Sequence, residues 1–506
     1  MRLGPNLIAG FASAIWTAVL GFAVVPLYLK YLGVEAYGLI GFFTTLQALF
    51  QLLDFGLAPT INRQIARYSA SGQLPEARNL LHTLAVVYCV IGALIGATVL
   101  ASAHVIANHW LQVNHLPRAS VERALMLIGV VIACRWPVGI YTSALLGLQR
   151  VTVTSAISAV AMTLATLGAV GILAFVSPTI EAFFVWQALA GLMLALAMRQ
   201  AAWRAVRRST EARFELSELA AVWRFSVGMI GLALAGLTFM QLDKIVLSKI
   251  LTLENFGYYS LAGTVANGLQ LLIVPVFNVM FARFSALIAV EATQDVARLY
   301  GLFTRLLATV LFPIAMALAF DARDVVFVWT RSAHVAEAVA PLLRLLVLGT
   351  AIHGMMNISY ALQLASGRPR IPLTINAVLL VVMVPVILVL ALKYGALGGA
   401  LAWLAVRVVY LLFGTWLNHR VLMKGLALRW LSRDVGIPLL LTVAIFGIGF
   451  HLYGGPERAP LSNLIFSGAL ALCAALLLLA ISPALRAAVL SPLSSNKRSR
   501  PCASKS

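Results

Sequence analysis

The stretch Ala396-Leu-Gly-Gly-Ala-Leu-Ala-Trp-Leu-Ala-Val-Arg-Val-Val-Tyr-Leu-Leu-Phe-Gly-Thr-Trp-Leu-Asn418 decides the class of fold. Its 23 residues include one charged residue, Arg407, near the middle. An α-helix needs about 20 mostly apolar residues to cross the hydrocarbon core of a bilayer. The stretch is therefore predicted to span a membrane, with an arginine at a depth where a charge needs a partner or an aqueous cavity.

The composition of the whole chain leads to the same class. Of its 506 residues, 61% are hydrophobic and 11% are charged, whereas soluble domains carry roughly 25% charged residues. With a mean hydropathy of +0.95, the chain has too little polar surface to cover a water-facing domain. The sequence thus predicts an all-α polytopic membrane protein.

The apolar stretches also bear on whether the chain carries a cleaved signal peptide and whether its cysteines form disulfides. The first apolar run, residues 7–29, is longer than a signal-peptide core and lacks a small-residue cleavage site, so we expect it to be retained. Cys89, Cys134 and Cys473 lie in apolar stretches and Cys502 lies in a basic tail, so we expect no disulfide.

About 14 transmembrane helices are predicted, in three groups. Residues 1–202 form a first six-helix bundle, and a cytoplasmic linker at 203–224 leads to a second six-helix bundle at 225–424. Helices 13 and 14 occupy 425–485, and residues 486–506 form a basic tail of a composition typical of disorder. The predicted spans are 7–29, 36–58, 80–103, 122–147, 151–176, 180–202, 225–250, 256–280, 301–320, 336–365, 371–393, 396–418, 434–453 and 461–482.

The distribution of basic residues predicts the orientation. Of the 37 lysines and arginines, 25 fall on the side that holds both termini and 8 on the opposite side. The positive-inside rule therefore places both termini in the cytoplasm. The formal net charge of +20 is explained by topology, and no nucleic-acid partner is expected.

An internal repeat is visible in two octapeptides, Tyr31-Leu-Gly-Val-Glu-Ala-Tyr-Gly38 and Ile250-Leu-Thr-Leu-Glu-Asn-Phe-Gly257, which are 219 residues apart. Arg150 and Arg368, each in a predicted cytoplasmic turn, repeat at an offset of 218. Six crossings separate equivalent helices, so both bundles enter the membrane in the same direction. We predict a parallel pseudo-twofold relation between the bundles, with helices 13 and 14 as an appended pair.

These features resemble the polysaccharide transporters of the multidrug/oligosaccharidyl-lipid/polysaccharide flippase superfamily, in particular Wzx-like O-antigen and exopolysaccharide repeat-unit flippases. The resemblance covers essentially the whole chain. It rests on Tyr31 to Leu39, on Leu53-Asp-Phe-Gly-Leu57 with Arg63 and Arg67 after it, and on the six-plus-six-plus-two arrangement.

The resemblance implies a function in the bacterial inner membrane. An undecaprenyl-pyrophosphate-linked oligosaccharide would be flipped from the cytoplasmic to the periplasmic leaflet by alternating access, for cell-surface polysaccharide or lipopolysaccharide biosynthesis. Its partners would be the bilayer and other membrane proteins of polysaccharide assembly. The alternatives are a cation-coupled multidrug exporter, a lipid II flippase and a membrane-embedded polymerase or ligase.

Charged side chains inside the predicted spans are the first candidates for substrate binding, because a charge at the bilayer centre costs roughly 2.5 to 3.5 kcal/mol on insertion scales. A guanidinium fork matches the paired oxygens of a pyrophosphate. We therefore predict that Arg407 and Arg344 bind the pyrophosphate, with Arg135 as a third contact. Arg135 alternatively caps the carbonyl that Pro137 frees in the fourth span.

The intramembrane carboxylates are candidates for ion coupling. Asp243 lies beside Lys244, and Asp54 lies nearer the cytoplasmic end of its span. A proton or sodium gradient could act through these carboxylates, although a substrate gradient alone is also sufficient. No cofactor is expected, and the spacing of His104, His109 and His115 does not suit a metal site.

Three glutamines and two glutamates complete the polar candidates. Gln47 and Gln51 are four residues apart, and Gln270 repeats Gln51 at the same offset of 219. These glutamines either contact sugar hydroxyls or form hydrogen bonds between helices. Glu35 and Glu254 occupy matching positions, and we interpret them as caps of the helices that follow.

Enzymatic function is not predicted. The sequence contains neither a Gly-x-x-x-x-Gly-Lys-Ser/Thr loop for ATP nor a His-Glu-x-x-His motif for zinc. The longest predicted loop has about 20 residues, too few to house a glycosyltransferase domain. A transporter is the class that these observations favour.

Overall fold

The computed structural model describes residues 3–54, 56–206, 240–453 and 459–487. Most of the predicted linker at 203–224, the first part of the predicted span 225–250 and most of the predicted tail at 486–506 lie outside these described residues. In the described part of the chain, helices account for nearly all regular structure, and the β-structure there is one isolated bridge between Gln112 and Thr252.

The helices are numbered here in chain order. The first group comprises α1 (Leu3–Ala23), α2 (Val25–Phe50), α3 (Leu57–Ala70), α4 (Leu74–Val105), α5 (Arg118–Arg135), α6 (Val138–Gly147), α7 (Val151–Phe175), α8 (Ile180–Ala205) and α9 (residues 240–250). The second comprises α10 (Leu253–Asn267), α11 (Gln270–Ala289), α12 (Thr293–Phe320), α13 (Ala322–Thr330), α14 (Ala333–Ala365), α15 (Arg370–Val421), α16 (Ala427–Arg429), α17 (Ile437–Tyr453) and α18 (Pro460–Ile481).

The predicted fold class, an all-α polytopic membrane protein, is confirmed. Eleven helical segments among the described residues are long and apolar enough to cross a membrane. Helix α15 is one of the eleven, although its 52 residues exceed what one crossing needs. The apolar part of α1, Ala12–Ala23, is shorter than the other segments. The count is therefore compatible with about 14 transmembrane helices.

Two glycines bend helices that the sequence predicts as separate spans. Gly33 has φ +79° inside α2, and Gly395 has φ +60° inside α15. Both values lie in the left-handed region that glycine reaches without steric cost. The predicted connection between the first two spans, residues 30–35, thus contains a break at Gly33, and the helices on its two sides continue closer to the break than predicted.

The second predicted span, residues 36–58, is also interrupted. Helix α2 ends at Phe50, a 3-10 turn covers Gln51–Asp54, and α3 begins at Leu57 after Gly56 with φ +72°. The repeat-related segment is broken as well, because α10 ends at Asn267 and α11 begins at Gln270. The fourth predicted span breaks at Pro137, between α5 and α6, where proline removes a backbone donor.

The described residues form two compact units. The first contains the described residues of 1–264 with 376–402, and the second contains those of 265–375 with 403–487. In the first unit, a core of apolar side chains from α3, α4, α6 and α8 surrounds Tyr88, which is 1% exposed. The predicted bundle boundaries, the appended pair and the orientation of the termini stay predictions.

Candidate functional site

Arg135 ends α5 at the point where the fourth predicted span breaks. Its Nη2 donates to Oε1 of Gln187 on α8 over 2.6 Å, and its guanidinium carbon lies 5.9 Å from the centroid of the Phe43 ring. The Gln187 amide is held in turn because Nε2 donates to the carbonyl oxygen of Ala165 on α7. A side chain at Gly191 would collide with the stem of Arg135, since a Cβ there would lie 2.7 Å from its Cγ.

The contacts of Arg135 leave its charge without a carboxylate. Its Nε is buried and has no hydrogen-bond acceptor among the described residues, and no carboxylate among them forms an ion pair with it. Its partner Gln187 is neutral. A guanidinium carries five N–H donors and cannot be deprotonated in a protein. This part of the first unit therefore holds a positive charge with spare donor capacity beside neutral groups.

Arg407 lies in the second unit and is 1% exposed. Its guanidinium carbon is 3.8 Å from the centroid of the Trp403 ring, one turn earlier on α15. Its Nη1 is 3.3 Å from Nδ1 of His353 on α14, and the His353 and Tyr410 rings lie 5.4 Å apart. Because a guanidinium only donates, Nδ1 of His353 is the acceptor in this contact.

Trp403 reaches Arg407 because α14 and α15 approach closely. A Cβ at Gly349 of α14 would lie 2.6 Å from Cδ1 of Trp403, so the missing side chain makes room for the indole. The planar guanidinium lies over the aromatic face, an arrangement that is stabilising when it is shielded from water. Arg407 is thus held between an indole and an imidazole.

Arg344 differs from the other two arginines in its surroundings. It lies on α14, the helix that carries His353, and its side chain is exposed. Of the three predicted pyrophosphate ligands, Arg407 and Arg344 therefore belong to the second unit and Arg135 to the first.

The adjacent Asp243 and Lys244 neutralise each other locally. Asp243 is 2% exposed, and its Oδ2 accepts a hydrogen bond of 2.7 Å from the hydroxyl of Tyr259. Its Oδ1 is 4.0 Å from Nζ of Lys244, which also donates to Gln241 over 3.4 Å. The pair contributes little net charge to the first unit.

Asp54 lies in the 3-10 turn that follows α2. Its carboxylate accepts hydrogen bonds from the hydroxyl of Tyr88 on α4 and from the backbone N–H of Ala58 in the first turn of α3. A carboxylate at this position satisfies an N–H that the helix itself leaves unbonded. Asp54 therefore fixes how α3 begins.

The three predicted glutamines are not equivalent. Gln47 on α2 is half-buried, and Gln51 lies in the 3-10 turn and is exposed. Gln51 caps α2, and its backbone N–H donates to the carbonyl oxygen of Gln47, so the two residues lie one helical turn apart as predicted. Their contacts with sugar or with other helices stay predictions. Gln270 is half-buried at the first position of α11.

Glu35 has a different role from the predicted helix cap. Its two carboxylate oxygens accept hydrogen bonds from the backbone N–H groups of Asn114, His115 and Leu116 over 2.6, 2.9 and 2.8 Å. These residues belong to the loop before α5, about 80 positions away in the sequence. Glu254, its repeat-related counterpart, instead accepts from the hydroxyl of Tyr258 over 2.9 Å.

The predicted site residues do not include Gln187 and His353, the polar partners of the half-buried Arg135 and the buried Arg407. The internal repeat contained a signal that could have identified His353. Arg135 and His353 are 218 residues apart, the offset that relates Arg150 to Arg368. Each contact joins the predicted fourth span of a bundle to the predicted sixth. Arg135 lies on the fourth span and Gln187 on the sixth in the first bundle, whereas in the second bundle His353 lies on the fourth and Arg407 on the sixth.

Among the described residues, no group of three or more His, Cys, Asp and Glu side chains is arranged to hold a metal ion. His104 and His115 instead lie 3.3 Å from Glu122 and 3.8 Å from Glu254.

Comparison with known proteins finds one matching protein family and several solved structures of similar fold. A family profile described as polysaccharide biosynthesis protein matches residues 3–288. No curated protein sequence matches the chain. A solved structure of the lipid II flippase MurJ in an inward closed conformation has a TM-score of 0.70 at 14% identity and covers 96% of this chain and 99% of its own.

Two MATE transporters are also similar in fold. An inward-facing multidrug resistance MATE family transporter of the MOP superfamily has a TM-score of 0.60 at 14% identity and covers 83% of this chain and 96% of its own. A point mutant of the Vibrio cholerae MATE transporter VcmN has a TM-score of 0.59 at 14% identity, with coverages of 84% and 98%. At these identities the likeness concerns the fold alone.

Proposed function

This chain belongs to the polysaccharide biosynthesis protein family, and from that membership we propose that it is a flippase for a lipid-linked oligosaccharide. The substrate is a repeat unit on undecaprenyl pyrophosphate. It moves from the cytoplasmic to the periplasmic leaflet by alternating access, as a step in building cell-surface polysaccharide or lipopolysaccharide.

The environment of Arg135 is the observation that carries this proposal. A substrate of this class brings paired anionic oxygens, and charge-assisted hydrogen bonds to them are stronger than those to neutral groups. Arg135 has a buried Nε without an acceptor among the described residues, and its Nη2 binds only the neutral amide of Gln187. A pyrophosphate supplies both the missing acceptor and the counter-charge.

Arg407 and Arg344 serve as the other pyrophosphate ligands in this proposal. Arg344 is exposed in the present conformation, whereas Arg407 is covered by Trp403 and His353. Contact with Arg407 therefore requires the indole or the imidazole to move aside. That requirement suits a site that is offered to substrate in only one state of a transport cycle.

The remaining polar candidates take secondary roles. Gln47, Gln51 and Gln270 are proposed to contact sugar hydroxyls or to link helices. Asp54 and the pair Asp243 and Lys244 are proposed as sites through which a proton or sodium gradient acts. No cofactor is invoked, and the partners are the bilayer and other polysaccharide-assembly proteins.

Multidrug export is the second candidate, because one of the solved structures with this fold is described as a multidrug resistance transporter. An exporter of organic cations is expected to offer carboxylates and aromatic faces to its substrate. Asp243 is 2% exposed and already bonds Tyr259 near Lys244. Its charge is therefore less available to a cationic drug than the charge of Arg135 is to an anion.

A strain that lacks its own repeat-unit flippase tests the proposal. Wild-type protein should restore surface polymer, and Arg135→Ala should lower it about tenfold or more at unchanged membrane abundance, because hydrogen bonds to charged groups contribute roughly 1.5 to 3 kcal/mol. Arg135→Lys should restore part of the activity, since an ammonium retains the charge without the fork. Arg123→Ala is the matched control, because Arg123 lies on the same helix and forms an exposed ion pair with Glu181.

Other outcomes assign the protein differently. Restored growth in a strain depleted of its lipid II flippase, without any surface polymer, would contradict the proposed substrate. Drug resistance that depends on the chain and survives Arg135→Ala would favour multidrug export. Polymer at wild-type levels from Arg135→Ala would remove the observation on which the proposal rests.

A further inference from the structure

Two adjacent cavities lie between α7 and α8 of the first unit. One has a volume of about 340 Å³ and is lined by apolar side chains alone, among them Val160, Leu164 and Met193. The other has a volume of about 410 Å³. Ile157 and Ala197 line both cavities, so the two form one groove along the helix pair, which we call the α7–α8 groove.

The second cavity gives the α7–α8 groove a basic end. Arg150, Gln200 and Arg204 line it, and all three side chains are exposed. Arg150 directly precedes the first residue of α7, and Arg204 lies in the last turn of α8, so both arginines mark the same end of this antiparallel pair. This is the end that the sequence predicts to be cytoplasmic.

The arginines at the basic end carry charge that the described residues do not neutralise. Neither Arg150 nor Arg204 forms an ion pair with a carboxylate in the described ranges. The backbone at Arg150 is fixed, because its N–H donates to the carbonyl oxygen of Leu145 over 2.8 Å after Gln149 with φ +56°. The backbone from which the Arg150 side chain extends is thus held in place at the basic end of the groove.

We propose that the α7–α8 groove binds an anionic phospholipid of the cytoplasmic leaflet. Its phosphate lies against Arg150 and Arg204, and one acyl chain follows the apolar part of the groove past Ile157 towards Leu164. Charge and apolar surface occur here in the order in which a phospholipid presents its headgroup and chain. Basic residues near the cytoplasmic surface attract anionic lipids in this way.

The size of the apolar cavity favours a phospholipid over a polyprenyl carrier. At about 340 Å³ it is at the lower end of small-molecule sites and has room for part of one acyl chain. A longer polyprenyl chain would leave a larger part of its length outside this cavity. The proposed phospholipid site does not depend on the proposed transport of a lipid-linked oligosaccharide, and its test distinguishes the two lipids.

The test measures lipid retention by the purified full-length chain. Protein in detergent is mixed with phosphatidylglycerol or with phosphatidylcholine of the same acyl chains, and bound lipid is counted by native mass spectrometry. We expect phosphatidylglycerol to be retained and to raise the melting temperature more than phosphatidylcholine, because only the former carries a net negative charge.

Two variants locate the bound lipid. Arg150→Gln combined with Arg204→Gln should weaken phosphatidylglycerol binding about tenfold. Ala197→Trp, which fills the junction of the two cavities, should weaken it while leaving both arginines in place. Arg368→Gln combined with Arg370→Gln is the matched control, because these exposed arginines lie outside the groove. Thermal unfolding without lipid verifies that each variant is folded.

Three results would overturn the proposal. The first is equal retention of the two phospholipids by the wild-type protein. The second is unchanged phosphatidylglycerol binding by the double arginine variant or by Ala197→Trp. The third is displacement of phosphatidylglycerol from the wild-type groove by undecaprenyl phosphate at equal concentration, which would assign the groove to the carrier lipid.

Discussion

Gly38 of α2 and Gly257 of α10 each face the backbone of the helix that carries the other. A Cβ at Gly38 would collide with the carbonyl oxygen of Leu253, and a Cβ at Gly257 would collide with that of Val34. Val34 and Leu253 are 219 residues apart, as are Gly38 and Gly257. Such reciprocal contacts are expected where two equivalent helices meet across a twofold axis.

Replacing Gly38 with Ala should destabilise the protein by about 1 to 3 kcal/mol, because the added methyl group forces two tightly packed backbones apart. Gly263→Ala on α10 is the control, since a Cβ there meets no atom within 4 Å. Because alanine has a higher helix propensity than glycine, Gly263→Ala should be neutral or stabilising by up to about 1 kcal/mol. Thermal unfolding of the purified variants measures both effects, and equal changes would contradict the close approach.

The repeat shows how much of the fold could be predicted from the sequence. Apolar runs gave the class of fold and most spans, because the bilayer allows little besides helices of sufficient length. The shared Glu and Gly of the two octapeptides identified equivalent positions. The octapeptides could not show that Gly38 and Gly257 meet, because a pattern within one helix carries no information about its neighbour.

The polar contacts of the site were harder to predict. Depth in a span singled out Arg407 and Arg344, with Arg135 as a third candidate. Arg344 is exposed, whereas Arg407 is buried and Arg135 is half-buried. Their partners Gln187 and His353 lie more than 50 residues away in the sequence, on helices whose rotation is set by packing. The same limit applies to Glu35, because a local helix cap was the nearest explanation for its carboxylate.

Glu35→Gln should loosen the loop before α5. The substitution removes a charge that accepts three backbone hydrogen bonds, and a neutral amide oxygen cannot replace both carboxylate oxygens. Hydrogen exchange of the amides of Asn114, His115 and Leu116 should accelerate at least about tenfold, as loss of roughly 1.5 to 3 kcal/mol implies. Glu337→Gln, which removes an exposed ion pair with Arg323 in the second unit, should leave these amides unchanged. Unaltered exchange in Glu35→Gln would contradict the assigned role.

Asp321, between α12 and α13, should make stability depend on pH. Burial raises the pKa of its carboxyl, the charge of Asp324 raises it further, and the Ser467 hydroxyl lowers it. The folded pKa therefore exceeds the unfolded value of about 3.9, so folding favours the protonated form. The protonated Asp321 side chain therefore contributes its full stabilisation at pH values below the unfolded pKa. This stabilisation is lost as the pH rises through the folded pKa.

Asp321→Asn cannot ionise, so it should be more stable than the wild type at neutral pH, and the difference should shrink as the pH falls. Melting temperatures across this pH range provide the measurement. Asp324→Asn removes a charge that raises the pKa of Asp321, and it should shift the transition to lower pH. A wild-type protein and an Asp321→Asn variant with parallel pH profiles would exclude this effect.

The predicted orientation is tested by labelling single cysteines. In a background in which Cys89, Cys134, Cys473 and Cys502 are replaced, Arg118→Cys should react with an impermeant maleimide added to whole cells. Arg368→Cys should react only after the membrane is opened. Both positions are exposed, so a failure to react reflects the compartment. The opposite pattern would place the termini in the periplasm.

Variants of Arg344 and Arg407, the two arginines of the second unit, should distinguish a role in helix packing from a role in substrate binding. Arg344 is exposed, so Arg344→Ala should change stability by less than about 0.5 kcal/mol, and any loss of polymer export then reports a lost substrate contact. Arg407 is buried over Trp403, so Arg407→Met is the informative change, because an unbranched apolar side chain keeps contact with the indole without a charge.

If Arg407 binds the pyrophosphate, Arg407→Met should lower polymer export about tenfold to a hundredfold in the flippase-deficient strain, and Arg407→Lys should recover part of it. If Arg407 only holds α14 and α15 together, export should follow membrane abundance in every variant, because packing acts through the amount of folded protein. Polymer export and abundance are therefore measured on the same cells. Full export by the double variant Arg344→Ala, Arg407→Met at normal abundance would exclude both arginines as substrate ligands and leave Arg135 to supply the charge.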